Sequence, residues 1–206
     1  MRSLLFPVGV ALLLSPLRSL AGGPSGVPGK LRVGITATLP LENDVVFFEE
    51  LVGAPSFSGD GFYSLGICLV LPLGGRLDAE SGMGYSRHRI RVEPNLPPQG
   101  EPRSDIRNLH LIDIPVTLLA GFLKYFFVNG GLVLEMDPTL DSPLDNQSGI
   151  GALAGIGFKY DFRGGLSLFL NPCIKGHALL PFSMEGKPTR IIESGVRLGI
   201  SFGGSR

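Results

Sequence analysis

The feature that most constrains this chain is a two-residue alternation that returns eight times along it. From residue 150 to 162 one parity carries Ile150, Ala152, Ala154, Ile156, Phe158, Tyr160 and Phe162. The other carries Gly151, Leu153, Gly155, Gly157, Lys159 and Asp161. Successive side chains of a β-strand point to opposite faces, so this segment is a strand with one apolar face and one face of glycine and charge. The same division sets Ile192, Ser194, Val196, Leu198, Ile200 and Phe202 against Glu193, Gly195, Arg197, Gly199 and Ser201. The eight segments fall at roughly 31–39, 62–72, 77–92, 109–121, 126–137, 150–162, 166–180 and 190–202. Most of them reach or exceed the 9–11 residues that a tilted strand needs to cross a bilayer.

The connections alternate as well. Those after the second, fourth and sixth segments are tight (Leu73-Gly74-Gly75, Leu123-Lys124, Arg163-Gly164-Gly165), whereas 40–61, 93–108, 138–149 and 181–189 are long. Short turns on one rim and long loops on the other predict an all-β fold, an eight-stranded antiparallel up-and-down transmembrane β-barrel. Composition agrees. Gly at 30 and Pro at 17 oppose long helices. The 18 basic and 18 acidic residues cancel, which excludes a strongly basic nucleic-acid binder. Two Cys exclude a disulfide scaffold and a four-Cys zinc site.

The chain divides into four parts. Arg2 followed by the apolar run Leu4–Leu14 and the small residues Ser19 and Ala21 reads as a signal peptide over 1–21, cleaved after Ala21. A breaker-rich linker follows over 22–30, then the barrel over 31–202 and a tail over 203–206. An exported chain without an apolar run long enough for a membrane helix enters a membrane only as a closed barrel, which places it in the outer membrane of a Gram-negative bacterium.

Volume decides which face is inside. An eight-stranded barrel has an interior that side chains just fill. The Leu-, Ile- and Phe-rich parity would overfill it. The charged parity carries Gly34, Gly66, Gly82, Gly84, Gly121, Gly131, Gly151, Gly155, Gly157, Gly195 and Gly199, which leave room for long charged neighbours. The apolar face therefore meets lipid. Phe122, Tyr125, Phe126, Tyr160, Phe162 and Phe202 fall near the short-turn ends and form an expected interfacial girdle, with Phe57, Phe62, Tyr63 and Phe182 near the opposite rim.

The stretch Leu109-His110-Leu111-Ile112-Asp113-Ile114-Pro115-Val116, closed by Tyr125–Leu132, resembles the central hairpin of the PorT-like outer-membrane β-barrel family. The glycine-alternating strand Gly149–Tyr160 and the closing strand Ile191–Phe202 are similar too. The resemblance covers roughly residues 30–202. It implies a small barrel of Bacteroidota-type outer membranes, in a family whose founding type is linked to protein secretion.

The inward parity projects Arg32, Asp78, Glu80, Asp113, Glu135, Lys159, Asp161, Lys175, His177, Glu193 and Arg197 into the lumen. Mixed signs in a narrow lumen are expected to form a plug of salt bridges, with Arg197 and Arg32 near Glu193 and Glu135 facing Lys159. A gated ion path is the alternative use of the same charges. The role expected is structural, adaptor or secretion-accessory, with outer-membrane lipid and other envelope or secretion proteins as partners and no cofactor.

Outward, Arg87, Arg89 and Arg91 continue the lipid-facing parity of strand three. They reach the expected height of the upper interface, where they can take lipopolysaccharide phosphates, unless a bulge at Gly82 or Gly84 reverses the parity. Two other readings remain. A barrel enzyme modifying outer-membrane lipid needs a Ser–His contact at the outer rim, for which Ser86 and His88, with His110 and Glu93 nearby, are the candidates. A soluble periplasmic lipocalin-like carrier needs the apolar face inside. Cys68 and Cys173 share the lumen parity and are expected as free thiols.

Overall fold

The computed structural model describes residues 30–47, 56–93, 105–139, 142, 144–183 and 189–203. The signal-peptide reading, nearly all of the linker and the last three residues lie outside them. Eight strands follow in chain order: β1 (Arg32–Phe47), β2 (Ser56–Gly74), β3 (Leu77–Glu93), β4 (Asp105–Gly121), β5 (Phe126–Met136), β6 (Gly149–Asp161), β7 (Leu166–Pro181) and β8 (Thr189–Gly203). Each pairs antiparallel with the next, and β1 closes on β8 from Arg32 opposite Gly203 to Phe47 opposite Thr189. Closure gives every described strand a neighbour on both sides, so the sheet has no free edge. The tight turns use glycines in the left-handed region, Gly75 at φ 58° and Gly165 at φ 80°, which side chains rarely adopt.

Two strands run well past their expected ends, and the cause is the same in both. β1 does not stop at residue 39 but continues to Phe47, with its register to β8 shifting between Pro40 and Glu42. β2 begins at Ser56, not 62, with a shift against β3 between Gly59 and Phe62. Each bulge inserts a residue and breaks the alternation that marks a strand. Pro40, which has no N–H to give to the ladder, stands beside the first of these irregularities. The Asn43 side chain ties the two irregularities together by accepting from Gly61 N at 2.9 Å. Gly82 and Gly84 carry no bulge: β3 stays in continuous register with β2 from Phe62–His88 down to Pro72–Asp78. Gly203, expected in the tail, closes β8 and donates to Gly165 O at 3.0 Å.

The two faces divide as volume requires. The aliphatic parity turns outward: Val33, Ile35, Leu65, Ile67, Leu118, Leu132, Ile156 and Ile200 are exposed, while Asp78, Glu80, Glu135, Lys175 and Glu193 are buried. An apolar belt around a whole molecule far exceeds the patches that water-soluble surfaces carry. The lower girdle forms as expected. Tyr125 stacks on Tyr160 with centroids 5.7 Å apart, Tyr160 meets Phe162 edge-on at 4.7 Å, and Phe126 meets Phe158 at 5.7 Å. At the other rim Tyr63 is exposed, but Phe62 turns into the lumen.

Glycine leaves the interior room for aromatic rings as well as charges. Phe127 and Phe169 meet edge to face at 6.5 Å across the lumen, and their rings cover Gly157 and Gly199. A methyl group at Gly199 would enter the Phe169 ring. Gly199→Ala is therefore expected to cost about 1–3 kcal/mol by overpacking. In a Phe169→Ala background the same glycine change should cost less, as denaturant unfolding of the two single variants and the double variant would show.

Candidate functional site

The lumen is filled in three tiers, and its far end is capped. At the short-turn end Arg32 bridges Asp78 (Nη2–Oδ2, 3.0 Å) and Asp161 (Nη1–Oδ1, 3.2 Å), and Lys159 Nζ lies 3.2 Å from Asp78 Oδ2. Arg32 also donates to Ser167 Oγ at 3.3 Å. A cavity of about 230 Å³ opens at this end, lined by Asp78, Phe127, Lys159 and Asp161 among others.

The second tier is built on the aromatic pair. The Arg197 guanidinium lies 5.1 Å over the Phe169 ring and pairs with Glu80 across the barrel. Asn129 and Asn171 hydrogen bond to each other, both buried. A cavity of about 60 Å³ follows, lined by Cys68, Glu80, Asp113, Cys173, Lys175, Glu193 and Arg197 among others. It shares no lining residue with the larger one. Both thiols are unbridged.

The third tier gathers residues from β3, β4, β5, β7 and β8. Lys175 Nζ sits 2.8 Å from Asp113 Oδ2 and 3.0 Å from Glu193 Oε1. His177 lies between two carboxylates, Nδ1 at 2.8 Å from Glu135 Oε1 and Nε2 at 3.2 Å from Glu193 Oε2. His88 Nε2 is 3.5 Å from the same Glu193 oxygen, and its ring stacks on Phe62 at 5.3 Å. A distortion of β7 holds His177 here: the ladder to β6 jumps from Leu180 to Gly176, and Ala178 takes φ 42° while its N–H donates to Glu135 Oε2 at 2.6 Å.

Above this tier Val45, Ile90, Leu109, Leu111, Leu144 and Ile191 form a buried apolar cluster, with Phe57 packed against it. Leu144 comes from the β5–β6 connection. That connection is pinned by Asp145, which accepts from Thr189 N at 2.9 Å, and by Gln147, which donates to Thr189 O at 2.9 Å. The sequence offered no sign of this cap, because its members come from four strands and a loop with no shared spacing.

Seven of the eight expected network residues, Arg32, Asp78, Glu80, Lys159, Lys175, Glu193 and Arg197, engage in ion pairs, and the eighth, Glu135, faces the His177 imidazole. Three of the expected pairings are different. Arg32 and Arg197 bond to Asp78 and Glu80, not to Glu193, and Glu135 bonds to His177, not to Lys159. Height along the barrel explains this. Lys159 N donates to Tyr125 O at the foot of β5, whereas Glu135 lies opposite Gly149 near the head. Neighbouring strands bring residues together only at matching height.

Ser86 and His88 do touch, at 3.2 Å between Oγ and Nε2. Both are completely buried beneath the cap, away from the outer rim that lipid chemistry requires. His110 faces outward, its Nδ1 2.6 Å from the Tyr85 hydroxyl. The apolar parity faces out, so the interior is not the apolar cavity that a lipocalin-like carrier needs.

Arg87, Arg89 and Arg91 keep the outward parity. Arg89 and Arg91 both engage Asp60, at 2.7 and 2.8 Å, and Arg87 Nε donates to Asn108 Oδ1 at 3.1 Å. Asp60 stands at the β2 bulge.

No family model matches the sequence, and no curated protein matches it. Solved structures do. The chain is similar to the outer membrane protein AlkL, determined in lipid bilayers by solid-state NMR, with TM-score 0.58, 12% identity, and 90% of this chain and 95% of that one covered. It is also similar to the outer membrane protein OprG of Pseudomonas aeruginosa, with TM-score 0.48, 16% identity, and 85% and 94% covered. The first likeness establishes the fold: an eight-stranded barrel of the outer-membrane kind.

Proposed function

We propose that this protein is a non-conducting barrel of the outer membrane, with its short turns toward the periplasm and a structural, adaptor or secretion-accessory role carried by its outer face and rims. The observation that carries this reading is the filled lumen, with ion pairs in each tier beneath an apolar cap. Porin-type channels leave an aqueous path by using about twice as many strands. The apolar belt and the likeness of fold support the membrane location. The resemblance of Leu109–Val116 and Ile191–Phe202 to PorT-like barrels supports the finer family reading. In planar bilayers the reconstituted chain should show no steady conductance; a steady large conductance would overturn the proposal.

The outward arginines support lipid as a partner. Arg87, Arg89 and Arg91 with Asp60 make a patch of formal charge +2, three cations less one carboxylate, above the apolar belt. Guanidinium groups bind phosphate bidentately, and the patch suits the phosphates of outer-leaflet lipid such as lipopolysaccharide. The triple change Arg87→Gln, Arg89→Gln and Arg91→Gln should lower co-purifying anionic lipid while the barrel stays folded. Unchanged lipid in the folded triple variant would remove lipid phosphate as the ligand.

A further inference from the structure

We propose that the third tier is a binding site for one divalent transition-metal ion, zinc by preference, held by His88 Nε2, His177 Nε2 and Glu193 Oε2. Donors bound tetrahedrally at about 2.0–2.1 Å lie about 3.3 Å from one another. The Glu193 oxygen is 3.2 Å from one imidazole nitrogen and 3.5 Å from the other, and the three donors all lie within 4.8 Å. The two rings meet nearly perpendicular, at 82°. Ser86 Oγ, 3.2 Å from His88 Nε2, offers an oxygen for the fourth position.

Two further observations point to a missing ligand. Glu193 Oε2 and His177 Nε2 are buried and close, yet among the described residues neither makes a hydrogen bond of acceptable geometry. Buried polar atoms are rarely left so. Charge is also unbalanced: Asp113, Glu135 and Glu193 face Lys175, three negative charges against one positive, which leaves −2 with neutral imidazoles. One divalent ion brings that sum to zero. A protonated His177 bridging Glu135 and Glu193 would account for one charge and leave the second unbalanced.

The surroundings suit zinc. Two imidazoles and a carboxylate favour it over calcium or magnesium, which take oxygen ligands. Glu135 Oε1 stands 2.8 Å from His177 Nδ1, where a small turn of the ring would let the carboxylate hold the tautomer of a metal-bound histidine. Sequence spacing gave no hint, because the ligands come from β3, β7 and β8. The site lies under the cap, so the ion enters as the barrel closes.

The test is to refold the full chain with Zn²⁺ or Co²⁺, wash it with chelator, and measure metal in the folded fraction. One equivalent should remain. The Co²⁺ form should show the visible absorption of four-coordinate cobalt, and X-ray absorption of the Zn²⁺ form should show two imidazoles. His88→Gln and Glu193→Gln should each lower retention about tenfold or more. A folded wild-type barrel without metal, a zinc spectrum without imidazole scattering, or equal retention in the folded variants would overturn the site. The wild-type spectrum decides should the variants fail to fold.

Discussion

Lys175→Met is expected to be the most damaging single change in the lumen, lowering stability by about 3–5 kcal/mol. The side chains are of similar length, so packing is nearly kept and the loss is electrostatic. The ammonium sits between Asp113 and Glu193, each about 7% exposed, and its removal leaves both carboxylates buried beside Glu135. Adding Asp113→Asn and Glu193→Gln should return much of the loss, because Glu135, which faces His177, is then the one carboxylate left among these groups. The chain has no tryptophan, so unfolding is best followed by circular dichroism or by the electrophoretic shift between folded and boiled barrel. A loss below about 1 kcal/mol would show that water reaches the tier and screens it.

Leu111→Ala should cost about 2–5 kcal/mol by opening a cavity in the cap. Leu111 is completely buried and packs with Ile90, Leu109 and Leu144. The effect should be local. Amide exchange should rise at Leu144–Ser148 and at the heads of β3 and β4, while the Phe127–Phe169 region keeps its protection. Leu118→Ala, on the outward face, removes the same atoms where lipid can fill the space and should be much milder. Equal exchange throughout the barrel would show that the cap and the base unfold as one unit.

These two residues also mark where the sequence was legible and where it was not. The parity that put Lys175 inside is a local property of β7, and eight such local properties specify the strands, their faces and closure. Partners are another matter. Lys175 finds Asp113 on β4 and Glu193 on β8 because all three share a height, and height depends on the shear and on the register of each ladder. The bulges at Pro40 and Asp60–Gly61 look in the sequence like strand ends. Leu111 gave no signal beyond its apolar side chain; that it belongs to a cap depends on a loop folding back, through Asp145 and Gln147, onto Thr189. Ser86 and His88 show the converse, since their shared parity is visible from spacing while their burial is not.

The cap and the cavity at the base together make the molecule a blind tube. Among the described residues, its stoppered end holds packed leucine, isoleucine and valine, whereas the other end presents Asp161, more than half exposed, and the partly open Lys159 amine. A membrane-impermeant amine reagent supplied at the turn side can thus reach a lumenal residue that the same reagent on the loop side cannot. Labelling of Lys159 becomes a one-sided signal of which way the barrel was inserted, readable in a sealed vesicle without opening the fold.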